Sequence, residues 1–451
     1  MKNRSPHRSR APSLPRITAG ETAWVLAGAG GPLFAKGIIV RRPWVVALLH
    51  ATGLEGAAVH ILQRLRRRYG EGPVLMRLPF REQAILLSPD HVRRVLEATP
   101  SPFQSDSSEK HATLAHFQPE GSLISRGEDR AERRAFNEGV LESTCPMHTL
   151  AARFGELVEE EIAVLLADAE QSGGLSWGAF KDGWFRIVRR CVFGERAADD
   201  KQLIQMLNML RGDANWAFLR PKRKTLRARF LSRVAAYLHA PEPGTLAALA
   251  AGMANGRAAP ADQIGQWLFA FDAAGIALFR ALAVLATNEA LARRARADAR
   301  PELPYLRACI LESVRLWATT PAILRQTDRD TTWGDAVVRT GTGVLIHVPF
   351  LHRDDERLPF AHRFAPGTWL NGEAPQWPLI PFSGGPGECP AKNLVLMLAG
   401  STLAALLARH GYTLPPTLRI DPGALPATFD HFSLSLGVEP VHAGAAGPGI
   451  G

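Results

Sequence analysis

The chain has 451 residues, 46% hydrophobic and 21% charged, with a formal net charge of +10. This composition excludes a disordered or fibrous protein and supports a large buried core, in one big domain or in two or three ordinary ones. The four cysteines, Cys145, Cys191, Cys309 and Cys389, are widely spaced with no Cys-x-x-Cys pair, which argues against a disulfide framework or a zinc cluster and fits a reducing cytosol.

Residues 1–20 contain Lys2, Arg4, Arg8, Arg10 and Arg16 and no acid, so half of the excess charge lies in a Pro- and Ser-rich stretch. A disordered basic tail is expected there, and such a tail is weak ground for nucleic-acid binding. From Thr22 to Val40 the apolar run is interrupted by Lys36 and several glycines, so neither a signal peptide nor a membrane anchor is expected. Arg64 to Arg68 is expected to end a solvated helix. The alternation Val74, Met76, Leu78 predicts a strand, Ala84 to Leu87 a second one, and Ser88 with Pro89 the start of a helix. Gly127 to Arg134 and Arg220 to Arg229 read as charged helix faces and ends. The run from Trp267 to Ala286 is broken only by Asp272 and Arg280. About 20 apolar residues could span a bilayer, but two charges inside the run favour the core helix of a large protein. Residues 442–451 are expected to be a flexible C-terminal tail.

The most informative segment is Phe382-Ser-Gly-Gly-Pro-Gly-Glu-Cys389-Pro-Ala391. Gly384, Gly385 and Gly387 permit positive φ and close backbone approach, and Pro386 stiffens the turn. From Pro390 an apolar helical pattern follows, through Leu394, Val395, Met397 and Leu398, and is expected to close at Gly411. Cys389 therefore precedes a helix N-terminus, where free N–H groups and the macrodipole favour a metal-binding thiolate. Upstream, Glu312 and Arg315 lie three apart and share a helix face, and Thr319-Thr-Pro-Ala-Ile-Leu-Arg325 leads into a strand.

These segments resemble the cytochrome P450 family. Phe382, Gly385 and Cys389 match its haem loop Phe-x-x-Gly-x-Arg-x-Cys-x-Gly, whereas Gly387 stands at the Arg position and Ala391 at the last Gly. Glu312 and Arg315 match the Glu-x-x-Arg pair. His352-Arg-Asp-Asp355 and Phe364-Ala-Pro366-Gly-Thr-Trp369 resemble two segments between them, with Thr368 where the family has an Arg that completes an ion network. That network is expected to be closed differently, with Arg363 as one candidate, or left open. Gly127-Glu-Asp-Arg130-Ala-Glu-Arg-Arg134 resembles the C-helix pattern, and the 267–286 run resembles the I helix.

The resemblance implies a mainly α fold with a small β-rich lobe, as one cytochrome P450 domain over residues 21–441. It implies haem b with Cys389 as the axial thiolate and iron ligand. Phe382 and Gly385 would belong to the haem loop, and Arg134, Arg325 and Arg130 would be contacts to the haem. Asp272 falls at the acid of the acid-alcohol pair, while the alcohol is replaced by Ala273. The implied activity is oxygen insertion from O2 into a hydrophobic small molecule, such as a terpenoid or fatty acyl compound of secondary metabolism. Electrons would come from a separate ferredoxin- or flavodoxin-type donor, since no Rossmann fingerprint is present; docking would use the face around Cys389 and Lys392. A cytoplasmic monomer without a membrane span is expected. Because of Ala273, chemistry without reductive O2 activation stays open as a peroxygenase, isomerase or dehydratase, and a non-enzymatic haem protein stays open behind it. Phe269, Phe271, Ala274, Thr320 to Ile323 and Phe429 to Phe432 are the candidate pocket residues.

Overall fold

A computed structural model describes residues 13–79, 81–370, 379–416 and 418–441. The elements that position the site are helices α1 (Ala57–Tyr69), α2 (Pro89–Glu97), α3 (Ser108–Leu114), α4 (Gly127–Val140), α5 (Ala151–Ser172), α6 (Trp177–Phe193), α7 (Lys201–Ala214), α8 (Lys224–His239), α9 (Pro260–Leu285), α10 (Pro304–Leu316) and α11 (Lys392–Ala408).

The longest helix, α9, has 26 residues and starts with Pro260, whose missing N–H costs nothing in a first turn. It passes for a membrane span by length and hydropathy, but it packs against α6, α8, α10 and α11 at the centre of the larger hydrophobic core. Phe271, Leu278, Phe279 and Leu282 on it are at most 1% exposed. Burial of each such side chain contributes about 1.5–3 kcal/mol, enough to hold an apolar helix inside a protein without a bilayer.

The β-rich lobe has its own core. Strands β1 (Val74–Leu78), β2 (Arg81–Ile85), β3 (Phe103–Gln104), β4 (Ala322–Thr327) and β5 (Gly343–His347) form one sheet in the order β1-β2-β5-β4-β3. β2 and β5 are parallel, and the other neighbours are antiparallel. The expected helix start is present: the Ser88 hydroxyl accepts from Asp90 N–H at 3.3 Å, with Pro89 in the first turn of α2. The architecture is mainly helical with small sheets, as expected.

Three sequence expectations need correction. The basic tail does not extend to residue 20: Leu14 and Ile17 are buried in the β-lobe core, and Arg16 forms a bridge with Leu75. Residues 1–12 and 442–451 lie outside the described residues. Gly411 does not close α11, which ends at Ala408, but lies in a following strand, His410–Thr413. The end of α1 is not wholly solvated, because Arg66 is 7% exposed and pairs with Asp354 and Glu356 at the end of the His352 segment.

Candidate functional site

Cys389 sits on a loop that its own backbone closes: the Cys389 N–H donates to the Phe382 carbonyl at 2.9 Å, and Lys392 N–H donates to the Cys389 carbonyl at 3.2 Å. Positive φ falls on Ser383 (67°) and Gly385 (60°), and not on Gly384, which is extended, or on Gly387. Gly385 must lack a side chain, since a Cβ there would meet the Leu96 carbonyl of α2 at 2.3 Å. Burial pushes the Cys389 thiol up and outweighs the opposing Ala391 N–H, Arg134 and Lys392. The helix end alone therefore does not make the thiolate; a bound metal cation would have to add to it.

The second part of the site is a group of cations between β4, α3 and α4. Arg325 is 4% exposed, and its Nε donates to Thr99 Oγ1 at 3.1 Å, but no carboxylate pairs with it among the described residues. Burial and the nearby Arg130 push it down to about 10. Burial and then Arg325 push Lys110 well down; its Nζ donates only to the Leu324 carbonyl, at 3.3 Å. Burial and then Arg134 lower Arg130. Arg134 itself is engaged, bonding Glu138 at 2.5 Å and the Glu388 carbonyl of the cysteine loop at 2.6 Å. A Cβ on Gly387 would lie 2.8 Å from Arg325 Nη2, so the place of an arginine in the loop is taken by one from β4. Lys110 was not anticipated; nothing in its sequence context distinguishes it from a surface lysine.

The third part is the face of α9 that carries Phe269, Asp272, Ala273, Ile276 and Arg280, all lining one cavity of about 380 Å³. Spacings of three, four and seven put these residues on one side of a helix. Asp272 Oδ2 accepts from Arg211 Nη2 of α7 at 2.6 Å, and Oδ1 has no partner among the described residues. Phe271 and Ala274, expected in the pocket, face the core instead. Gly275 is a packing glycine: a Cβ there would meet Trp184 at 2.6 Å, and the Trp184 indole donates to the Phe271 carbonyl at 2.8 Å. Phe429 and Phe432 line the cavity as expected, but after α10 the lining comes from Leu316 to Thr319 and not from Thr320 to Ile323.

Behind the site, Glu312 and Arg315 are both fully buried and pair at 2.7 and 2.8 Å. The network is closed differently, as expected, but not by the Arg363 side chain. The Trp369 indole and the Ala365 N–H each donate to Glu312 at 2.8 Å, and Arg363 contributes its carbonyl, not its side chain, to Arg315.

Comparison with known proteins supports this geometry. Residues 286–423 match the family model described as Cytochrome P450. Carotene epsilon-monooxygenase of Arabidopsis thaliana is 35% identical over 132 residues, covering 27% of this chain and 24% of that protein. Cyclooctat-9-en-7-ol 5-monooxygenase of Streptomyces melanosporofaciens is 32% identical over 112 residues, covering 24% of each. The chain thus matches about a quarter of the length of these curated relatives. The solved cytochrome P450 CYP102L1 superposes with a TM-score of 0.67 at 20% identity, covering 85% of this chain and 94% of that one. The retinoic acid-bound cyanobacterial CYP120A1 also gives 0.67, at 17% identity, covering 84% and 94%. The family implies a haem held by a cysteine thiolate. The residues present fit that group: a cysteine on a tight glycine loop, and the buried Arg325 with the half-buried Arg130 and Lys110, which have no carboxylate partner among the described residues and could take those of a haem. The chain therefore has the fold of solved cytochromes P450 over most of its length, and residues 286–423 match the sequence model of that family.

Proposed function

We propose that the protein is a haem-thiolate monooxygenase that inserts one oxygen atom from O2 into a small molecule with a hydrophobic body. The observation that carries this reading is the pairing of Cys389 on its closed loop with Arg325, Arg130 and Lys110, cations without carboxylate partners among the described residues.

Cys389 would hold the iron, and Arg325, Arg130 and Lys110 would hold the two propionates, with Lys110 and Arg325 covering for the arginine that Gly387 lacks. Arg134 would brace the loop from α4 through the Glu388 carbonyl. Once bound, a haem would supply the reductive activation of O2 and the oxidising power, with Cys389 as its electron-donating thiolate ligand. Phe269, Ile276 and Phe429 would shape an apolar, water-poor wall for the substrate. Arg211 anchors one oxygen of Asp272, leaving Oδ1 at the cavity to exchange a proton with ordered water or a substrate hydroxyl in place of the missing threonine. The electron donor would be a separate ferredoxin- or flavodoxin-type protein, and the enzyme a cytoplasmic monomer.

The reduced, carbon monoxide-bound absorption spectrum of the purified protein tests this, recorded beside Cys389→Ala and Arg325→Met. A strongly red-shifted Soret band that disappears in Cys389→Ala and loses intensity through haem loss in Arg325→Met is expected. A Soret band indifferent to the cysteine would overturn the reading. Ala273 keeps one other reading in view, and product formed with peroxide alone but never with O2 and reductant would favour a peroxygenase.

A further inference from the structure

The cavity beside α9 carries more charge than an apolar guest needs. Lys36, Arg41, Lys181, Arg211, Arg280 and Arg353 line it, against only Glu55 and Asp272. Asp272 is taken by Arg211, and Glu55 by Lys36 and the Thr428 hydroxyl. Arg41, Lys181, Arg280 and Arg353 are left without a carboxylate among the described residues, and of these Arg353 spends four hydrogen bonds on the carbonyls of Leu316, Leu425 and Pro426 and on His362 Nδ1. Arg41 donates to the carbonyls of Gly37, Ile38 and Thr319. Arg280 donates to the carbonyls of Trp317 at 3.3 Å and Phe429 at 3.2 Å and to His431 Nδ1 at 3.2 Å, while its Nε has no partner among the described residues.

Arg280 is 9% exposed. A guanidinium has five N–H donors, so three bonds leave two unused on each arginine. Burial, and then repulsion from Arg41, pushes Arg280 down to about 9, and the same burial and pair of arginines, against the pull of Glu55, leave Lys36 at about 8. An uncompensated cation out of water is costly, and neutral carbonyls offset only part of that cost. An oxyanion entering the cavity would meet two guanidinium forks and form charge-assisted bonds.

We infer that the cavity takes an amphipathic substrate with an oxyanion head, a carboxylate or a phosphate monoester, held between Arg41 and Arg280. This rests on the proposed function for its chemistry, but not for its binding. Arg280 lies seven residues beyond Ala273 on the same face, roughly 11 Å along the helix axis. The anionic head would therefore sit away from Asp272 and Ala273, with the apolar body running along Ile276 toward them and Phe269 lying beyond. Oxidation would fall on a carbon remote from the charge. The inference thus refines the sequence expectation of a hydrophobic guest such as a terpenoid or fatty acyl compound: two of the cavity's arginines favour an acid.

Calorimetric titration of the holoprotein at neutral pH with decanoic acid, decyl phosphate and decan-1-ol tests the inference, because the three probes share a chain and differ in the head. At least one anion is expected to bind roughly tenfold or more tightly than the alcohol. That preference should shrink by roughly tenfold in Arg280→Met and in Arg41→Met. Which anion wins identifies the head group. Equal binding of all three, tighter binding of the alcohol, or binding of none overturns the inference. A preference that survives in both variants overturns the assignment to these arginines, and if neither variant folds the wild-type comparison alone decides. A missing thiolate Soret signature alongside a clear preference for the anion would remove the proposed chemistry and leave the anion site standing.

Discussion

Arg315 on α10 and Arg280 on α9 are both buried arginines, and they are buried in opposite ways. Arg315 is inaccessible and makes six hydrogen bonds, two of them to Glu312 and four to the carbonyls of His352, Ala361, Phe360 and Arg363. Arg280 makes three, none to an acid. A buried charge with every donor used and a carboxylate attached joins elements together: here it ties α10 to the 352–365 segment. A buried charge with donors to spare has hydrogen bonds left to offer a ligand, which is the role proposed for Arg280 and for the cations around Arg325.

Lowering the pH strains both regions most, because each arginine has a buried histidine beside it. His352, whose carbonyl accepts from Arg315, is pushed down to about 3 by burial and then by Arg315. His431, which contacts Arg280, is pushed well down by burial and then by Arg280. A neutral histidine in the fold and an ordinary one in the unfolded chain mean that the unfolded state binds more protons below about pH 6.5. The stability is fully present above that pH and is lost as pH falls toward the folded value. Each residue contributes a slope of up to about 1.4 kcal/mol per pH unit. Thermal unfolding should therefore shift steeply downward below about pH 6.5, and a flat profile would mean that these histidines protonate without unfolding.

The arginines separate the two regions directly. Arg315→Met leaves Glu312 as a lone buried carboxylate and should destabilise the fold by about 3–5 kcal/mol. Trp369→Phe removes one donor to Glu312 and should cost about 1–3 kcal/mol in chemical unfolding. Arg280→Met, by contrast, relieves a desolvated charge while freeing two carbonyls, and its unfolding free energy should stay within about 1 kcal/mol of wild type. A loss in Arg280→Met as large as in Arg315→Met would erase the distinction and make Arg280 a structural staple.

Much of the site was legible because its chemistry is encoded in short segments. The loop from Phe382 to Ala391, the Glu312–Arg315 spacing and the 267–286 run each announce themselves within one stretch of chain. What misled the reading was also local: a glycine-rich loop says that some residue needs positive φ, but not that it is Ser383 as well as Gly385. Likewise, Thr368 showed that the expected arginine was absent, yet not that the indole of its neighbour Trp369 would take the place beside Glu312. Arg280 did carry a sequence signal, being a charge in an apolar helix seven residues from Ala273 on the same face.

By itself the sequence determined the mainly helical fold, the candidate thiolate and the Glu-x-x-Arg core, since periodicity and contiguous motifs depend on near neighbours in the chain. Only the tertiary structure decided which charges are compensated. Lys36, Arg41, Glu55, Arg211, Asp272, Arg280 and Thr428 come from widely separated segments, and whether a cation meets a carboxylate or only carbonyls depends on where those segments converge. In a low-dielectric interior that distinction amounts to several kcal/mol, while in the sequence it leaves no trace.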